Sequence, residues 1–389
     1  KIVNVEDFFI PDAGYQINIL PKYLAKLGHE VYIVTSKVEG IKNTSITFFG
    51  TDNIEQRDAE YTKSTGVKII RIAPKIKKMI SNRIIQSREF FEVVESLNPD
   101  IVYVHGNDTL TGIRYILKKK RNYGLITDSH MLPMASVNRF RKLFYWCYRK
   151  FVTPKIIEDK LIVIRTQNDS FVEKSLGIPL KQAPWISYGT DVQLFYPDEK
   201  VKENFKKENK IDKNAFIILY AGKLDEAKGG MFLAEAIKNK FQTNKDIVFL
   251  IVGNSGGDYG NRLEKCLKSS QNKILRFPTQ KYINLPSFFQ SADLVVFPKQ
   301  CSLSFYDVQA CGVPVLLENN NINIDRCSHK NGFIFESGNL EDFRLKIENC
   351  VNMSSKEYNK IVEKYVDGDQ ADDNDRLEEP EILVTYEAW

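Results

Sequence analysis

The sequence predicts an α/β fold of two doubly wound, Rossmann-like domains facing a cleft. Three observations carry that expectation. Short β-branched runs alternate with turns and amphipathic helical patterns, and the alternation occurs in two separate series. The chain's 389 residues exceed what one hydrophobic core usually supports, so two domains are the natural reading. The strand-like runs are continuously apolar rather than alternating, as in parallel sheets covered by helices on both faces. Ligands of such open sheets lie beyond the carboxyl ends of the strands, so two facing domains place a site in the cleft between them.

In the first series, strands are expected at residues 2–5, 31–35, 68–72, 101–104, 125–128 and 161–164, and helices at 15–27, 82–97, 138–152 and 168–176. In the second, strands are expected at 216–221, 247–252, 274–277, 294–297 and 314–317. The helices between them fall near 230–240, 261–269, 285–290 and 304–310. The stretch 182–198, with Pro184, Gly189 and Pro197, is the expected linker, giving domains of residues 1–186 and 187–366. Residues 367–389 break the pattern. They open as DGDQADDND, a solvated acidic linker, and end as ILVTYEAW, which reads as a docking strand. A natural appendage and an added remnant both fit this tail.

A hydrophobic content of 43% with 12% aromatics excludes disorder of the whole chain. Apolar runs such as 247–252 and 294–297 are strand-length, far short of the roughly 20 residues that span a bilayer. The sequence as it stands does not open on a charged-then-apolar signal segment. Cys147, Cys266, Cys301, Cys311, Cys327 and Cys350 form no CxxC pair and have no clustered histidines. Free thiols in a reducing cytoplasm are expected rather than disulfides or zinc. The net charge of +5 hides an asymmetry: residues 101–150 carry +8 and residues 367–389 carry −8, leaving +13 on the remainder. Such a body suits an anionic partner, whether a nucleotide, a lipid phosphate or a membrane surface.

Five segments hold candidate chemistry. Gly14, between the first strand and first helix, lets backbone approach a phosphate at a helix start; an ordinary tight turn explains it equally well. In LYAGKLDEAKGG, Lys223 and Lys228 follow a strand and precede a helix. Two cations there neutralise a departing diphosphate; solvated surface lysines are the plainer alternative. In SLSFYDVQACGVPV, amides at Leu303, Ser304 and Phe305 offer a phosphate contact and Asp307 a ribose contact. Asp307 equally serves the helix dipole. His105 and His130 each follow a first-series strand, placed for substrate contact or for structure. Residues 138–150, NRFRKLFYWCYRK, interleave cations with rings, as a membrane-interface helix does, or as a core helix with a charged outer face. Nucleic acid is not an expected partner, since no recognition fold accompanies these residues.

Taken in order, these segments resemble the family-four glycosyltransferases, retaining enzymes of the GT-B fold. The likeness runs from about residue 2 to residue 364 through PDAGYQINILPKYLAKLGHEVYIVTS, NPDIVYVHG, TDSHM, WISYGTDVQLFYPD, AGKLDEAKGG, FLIVGNSGG and SADLVVFPKQCSLSFYDVQACGVPV. It implies transfer of a hexosyl or N-acetylhexosaminyl group from a nucleotide diphosphate, a UDP-sugar by preference, onto a glycan or lipid-linked acceptor. It also implies a cytoplasmic protein, peripheral at the inner face of the plasma membrane. Gly14 would lie by the donor phosphate, His130 beside the sugar, Lys223 and Lys228 on the diphosphate, and Asp307 on the ribose. His105 and Asn107 would lie on the acceptor side. No cofactor and no metal are implied, because the cations act on the leaving group. The sequence departs from the family pattern at three points. Lys223 stands where Arg is usual, which loses a bidentate fork. Asp307 stands where Glu is usual, and Lys299 where an acid is usual. These departures keep a rival reading open, a non-catalytic relative acting as partner subunit or binding protein.

Overall fold

A computed structural model describes residues 1–41, 46, 49–80, 83–130, 139–168 and 170–366. The tail 367–389 and residue 138 lie outside the described residues. The chain divides into two compact units between Tyr188 and Gly189.

In the first unit, six parallel strands form one sheet: β1 (Ile2–Glu6), β2 (Val31–Ser36), β3 (Lys68–Ile72), β6 (Ile101–Val104), β7 (Gly124–Ser129) and β8 (Ile162–Arg165). A separate antiparallel pair, β4 (Ile76–Ile80) and β5 (Arg83–Ile85), interrupts the sequence of crossovers. The sheet order is β3-β2-β1-β6-β7-β8, the doubly wound order in which the chain reverses direction between β1 and β6. Val5 sits opposite Val34 on one side and Val104 on the other. One face buries Val3, Val5, Val102 and Val104 against Phe90, Tyr115, Tyr148 and Ile156 from helices. The other face buries Val31 and Ile33 against Phe9, Ile17 and Tyr61. Burial on both faces explains why these strands read as continuous apolar runs.

The second unit repeats the plan with β9 (Phe216–Ala221), β10 (Ile247–Val252), β11 (Lys273–Phe277), β12 (Leu294–Phe297), β13 (Val315–Glu318) and β14 (Gly332–Phe335), in the order β11-β10-β9-β12-β13-β14. Leu219 lies opposite Leu250 and Val295. Ile218, Phe249 and Val296 pack against Leu233, Leu263 and Phe343, while Ile217, Leu219 and Val295 are equally buried on the other face. The reversal here falls between β9 and β12.

The structure corrects four expectations. The helix expected at 82–97 is a strand followed by a shorter helix, Arg88–Ser96. Ser87 caps that helix by accepting from the Phe90 amide, and Ile84 is buried as part of β5. The helix expected at 168–176 shrinks to Phe171–Lys174, and Gly177 follows in the left-handed region. A sixth strand of the second sheet, β14, and the helices Leu340–Asn352 and Ser355–Val366 follow the last expected strand. Two first-unit helices, Ile54–Thr65 and Leu110–Ile116, were not expected either.

Candidate active site

Each unit gathers its chemistry at the carboxyl ends of neighbouring strands, β6 and β7 in the first and, where the winding order reverses, β9 and β12 in the second. In the first unit, Asp128 near the end of β7 is fully buried between two histidines. Its Oδ2 lies 3.0 Å from His105 Nδ1, and its Oδ1 lies 2.6 Å from His130 Nε2. Oδ1 also accepts the Gly106 amide at 2.7 Å. Gly106 has φ +92, and a Cβ there would meet Thr109 Cγ2 at 2.7 Å, so this turn requires glycine. Burial works against the Asp128 charge, but His130 and then His105 outweigh it and hold the carboxyl well below the usual carboxylate range. Burial likewise works against the His130 charge. Asp128 and Tyr188, whose hydroxyl bonds Nδ1, nevertheless raise His130 well above its ordinary value.

A third of the His130 side chain is exposed. His105 and Asn107 do not share that exposure. The His105 side chain is enclosed, stacked on Tyr103 with ring centroids 4.4 Å apart. Asn107 is fully buried and donates to Tyr148 Oη at 3.0 Å, tying the β6 turn to the helix Arg141–Phe151. Both support the site rather than face a substrate, which corrects the acceptor-side expectation. Gly14 precedes the helix Gln16–Lys26. Asn18 holds that loop by donating to the carbonyls of Ile10 and Pro11 at 2.8 and 3.3 Å. Ligand atoms of His105, Asp128 and His130 lie within 4.8 Å of one another, a spacing that can also hold a divalent ion.

In the second unit, Gly222 and Lys223 leave β9 and Lys228 precedes the helix Gly230–Ala236. The β10 end crosses this turn so closely that a Cβ on Gly253 would stand 1.9 Å from the Gly222 carbonyl oxygen. The Lys228 ammonium donates to the Cys301 carbonyl at 2.9 Å, bridging to the loop after β12. Burial is the main cause lowering both Lys223 and Lys228 below the usual lysine range. Half-buried cations of this kind exert a stronger pull on an anion than lysines in open solvent.

In that loop, Gln300 adopts φ +62 and donates its amide to Glu318 Oε2 at 2.7 Å. Leu303 and Ser304 are half-buried at the start of the helix Ser304–Ala310. Phe305 differs from expectation: its ring is fully buried and its amide already donates to the Ser302 carbonyl at 3.4 Å. Asp307 is buried as well. Its Oδ1 accepts from Thr190 Oγ1 at 2.5 Å and Tyr282 Oη at 2.9 Å, tying the helix to the linker. Burial, opposed by those two hydroxyls and aided by Asp191, raises its carboxyl to about 7.

The helix Arg141–Phe151 presents Phe140, Leu143, Trp146 and Phe151 at 50–72% exposure, while Tyr148 is buried beneath it. The outward face is thus apolar and cationic together, with Lys150 Nζ 4.9 Å from the Trp146 ring. This is not the charged outer face of an ordinary core helix. No helix among the described residues is long and apolar enough to cross a membrane.

Sequence reading missed Asp128, Tyr188 and Arg326. Asp128 had a signal, an acid two residues before His130 at a strand end. Tyr188 and Arg326 reach their neighbours only through the fold.

Residues 201–365 match the family model described as glycosyl transferases group 1. Among curated proteins, the chain is 26% identical over 327 residues to the UDP-Gal:alpha-D-GlcNAc-diphosphoundecaprenol alpha-1,3-galactosyltransferase of Escherichia coli, covering 80% of this chain and 81% of that one. It is 27% identical over 135 residues to the D-inositol 3-phosphate glycosyltransferase of Pseudarthrobacter chlorophenolicus, covering 33% and 32%. Among solved structures, Anabaena HepE in complex with UDP and glucose superposes with TM-score 0.68 at 14% identity, covering 94% of this chain and 93% of that one. A glycosyltransferase from Rickettsia africae superposes with TM-score 0.67 at 18% identity, with the same coverage. The pair of doubly wound units is the GT-B fold.

Proposed function

We propose that this chain, whose residues 201–365 match the group 1 glycosyl transferase model, is a glycosyltransferase that takes a hexosyl or N-acetylhexosaminyl group from a UDP-sugar. The acceptor is a glycan carried on a lipid diphosphate. The observation that supports this best is the pair Lys223 and Lys228, half-buried where the second sheet reverses, with Lys228 joined through the Cys301 carbonyl to the loop after β12. As the bond between the anomeric carbon and the diphosphate breaks, negative charge grows on the leaving oxygen. Fixed cations there stabilise the transition state more than the ground state. The acceptor hydroxyl forms the new bond, and its proton departs with the diphosphate.

These cations take the role a divalent metal plays elsewhere, so the reaction is metal-independent. On the first unit, Asp128 and Tyr188 take both ring nitrogens of His130, so its part beside the sugar is played by its charge and exposed ring edge rather than by a donated hydrogen bond. Leu303 and Ser304 offer amides to the phosphates; Asp307 reaches a ribose only through the oxygen that Thr190 and Tyr282 leave open. The exposed face of Arg141–Phe151 holds the protein on an anionic membrane at the cytoplasmic side, where a lipid-borne acceptor is found.

The related galactosyltransferase of Escherichia coli, whose name carries both a UDP-sugar and a diphosphoundecaprenol acceptor, supports this choice of substrates. Retention follows from the family likeness. NMR of the first-formed product, made in EDTA from an α-linked donor, is expected to show an α-glycoside. A β-glycoside would remove the retaining mechanism, and loss of turnover in EDTA would give His105, Asp128 and His130 a metal to hold.

A further inference from the structure

We propose that Arg326 is the third cation of the second unit's nucleoside-diphosphate site, a positioning residue that fixes the loop after β12 beneath the phosphates. The inference rests on the donor reading above and deepens it. Three consecutive carbonyls of that loop are each held by a side chain from another element. Asn323 donates to Gln300 O at 3.2 Å, Lys228 to Cys301 O at 2.9 Å, and Arg326 to Ser302 O at 2.8 Å. With the carbonyls turned onto these donors, the polypeptide between β12 and the next helix has one arrangement rather than many.

A neutral amide is enough to hold a carbonyl, as Asn323 shows at Gln300. A half-buried lysine and a buried arginine set to the same task bring positive charge as well as order. Arg326 is 4% exposed, its guanidinium 4.9 Å from the Phe305 ring centroid and 5.0 Å from that of Tyr306. Water is thereby kept from a charge that acts at long range in a poorly polarisable surrounding. Two acids of this region also hold local donors. Asp225 accepts the Lys228 amide at 2.9 Å, and Glu318 accepts the Gln300 amide and the Ser337 hydroxyl, each at 2.7 Å. Burial comes first in lowering Lys228, with Cys301 and Asp225 opposing and the charges of Lys223 and Arg326 adding to it. Lys228 therefore feels the positive charge of both Lys223 and Arg326, and a bound polyanion relieves that repulsion.

The test is binding to the whole chain. Calorimetry with UDP and GDP, at two salt concentrations, compares the native protein with Arg326→Gln and Arg326→Lys. Ligand-observed NMR follows the uncharged nucleosides uridine and guanosine. For Arg326→Gln, diphosphate affinity is expected to fall about tenfold or more, with a weaker salt dependence and unchanged nucleoside binding. Arg326→Lys, which keeps charge and stem, is expected to recover most of the loss, and it carries the test should Arg326→Gln not fold. Equal losses for nucleoside and diphosphate, in either variant, would overturn the proposal, because a merely structural brace acts on both. Undiminished diphosphate binding in Arg326→Gln would overturn it too, leaving the donor reading intact. A native protein that binds neither UDP nor GDP would overturn the donor reading and this inference together.

Discussion

Lys228 and Asp307 show how far a residue's chemistry depends on what encloses it. Both sit at the second unit's strand ends, yet the ammonium of Lys228 spans two loops through Cys301 O while the Asp307 carboxyl is closed in by Thr190 and Tyr282. Replacing Lys228 by Ala should therefore cost several kcal/mol of transition-state stabilisation and lower kcat/KM by about 10²-fold. A variant with native kcat/KM would strip Lys228 of its place on the leaving group. Asp307 makes a prediction about stability. Its carboxyl titrates near 7 when folded, raised by burial, and in the ordinary carboxylate range when unfolded. Between those values the folded chain binds more protons than the unfolded chain, so stability falls as pH rises through that window. Asp307→Asn removes this contribution. Urea denaturation at about pH 5 and about pH 8 should show the variant losing less stability than the native chain, by on the order of 2 kcal/mol. Equal losses would mean that the carboxylate is not strained by its enclosure. The place of Lys223 and Lys228 between a strand end and a helix start was legible in the sequence because a strand, a glycine and two cations stand together. Arg326 was not, because nothing in NNNINIDRC signals a helix returning to a loop far earlier in the chain.

At the scale of elements, the strands were legible and some connections were not. Runs such as FIILYA and IVFLIV are apolar at every position, which only a strand buried on both faces needs. The residues around Ile84 and Ile85 fit a helical period as well as a strand, and only pairing with β4 and the Ser87 cap decide between them. The helix Arg141–Phe151 reads the same in sequence whichever face looks outward. Packing of Phe144, Tyr145 and Tyr148 against the core turns Leu143 and Trp146 outward. On the proposed attachment to an anionic surface, rings sit at the headgroup level and each nearby Lys or Arg contributes about 1 kcal/mol, enough for reversible binding. Co-sedimentation with anionic liposomes should weaken as salt is raised and be lost when Arg139, Arg141 and Lys142 are all changed to Glu. Equal binding to neutral and anionic liposomes, or binding that survives the reversal, would make this face an ordinary surface.

For the whole molecule, two sheets of the same winding order both put chemistry at carboxyl strand ends, a carboxylate between two histidines in one and a group of cations in the other. The duplication was legible from the two series of strands. The division of labour was legible only in part, since His105 and Asn107 proved to be supports for the site. The departures at Lys223, Asp307 and Lys299 leave the catalytic claim as the one that matters most. Turnover of a panel of UDP- and GDP-sugars with a lipid-diphosphate-linked glycan, followed by release of nucleoside diphosphate and by the glycosylated product, tests it directly. The account predicts transfer from at least one UDP-sugar by the native chain and about 10²-fold slower transfer by Lys228→Ala. Tight binding of a nucleoside diphosphate with neither transfer nor hydrolysis of any donor would contradict it, and would make the protein a glycosyltransferase-like binding partner instead.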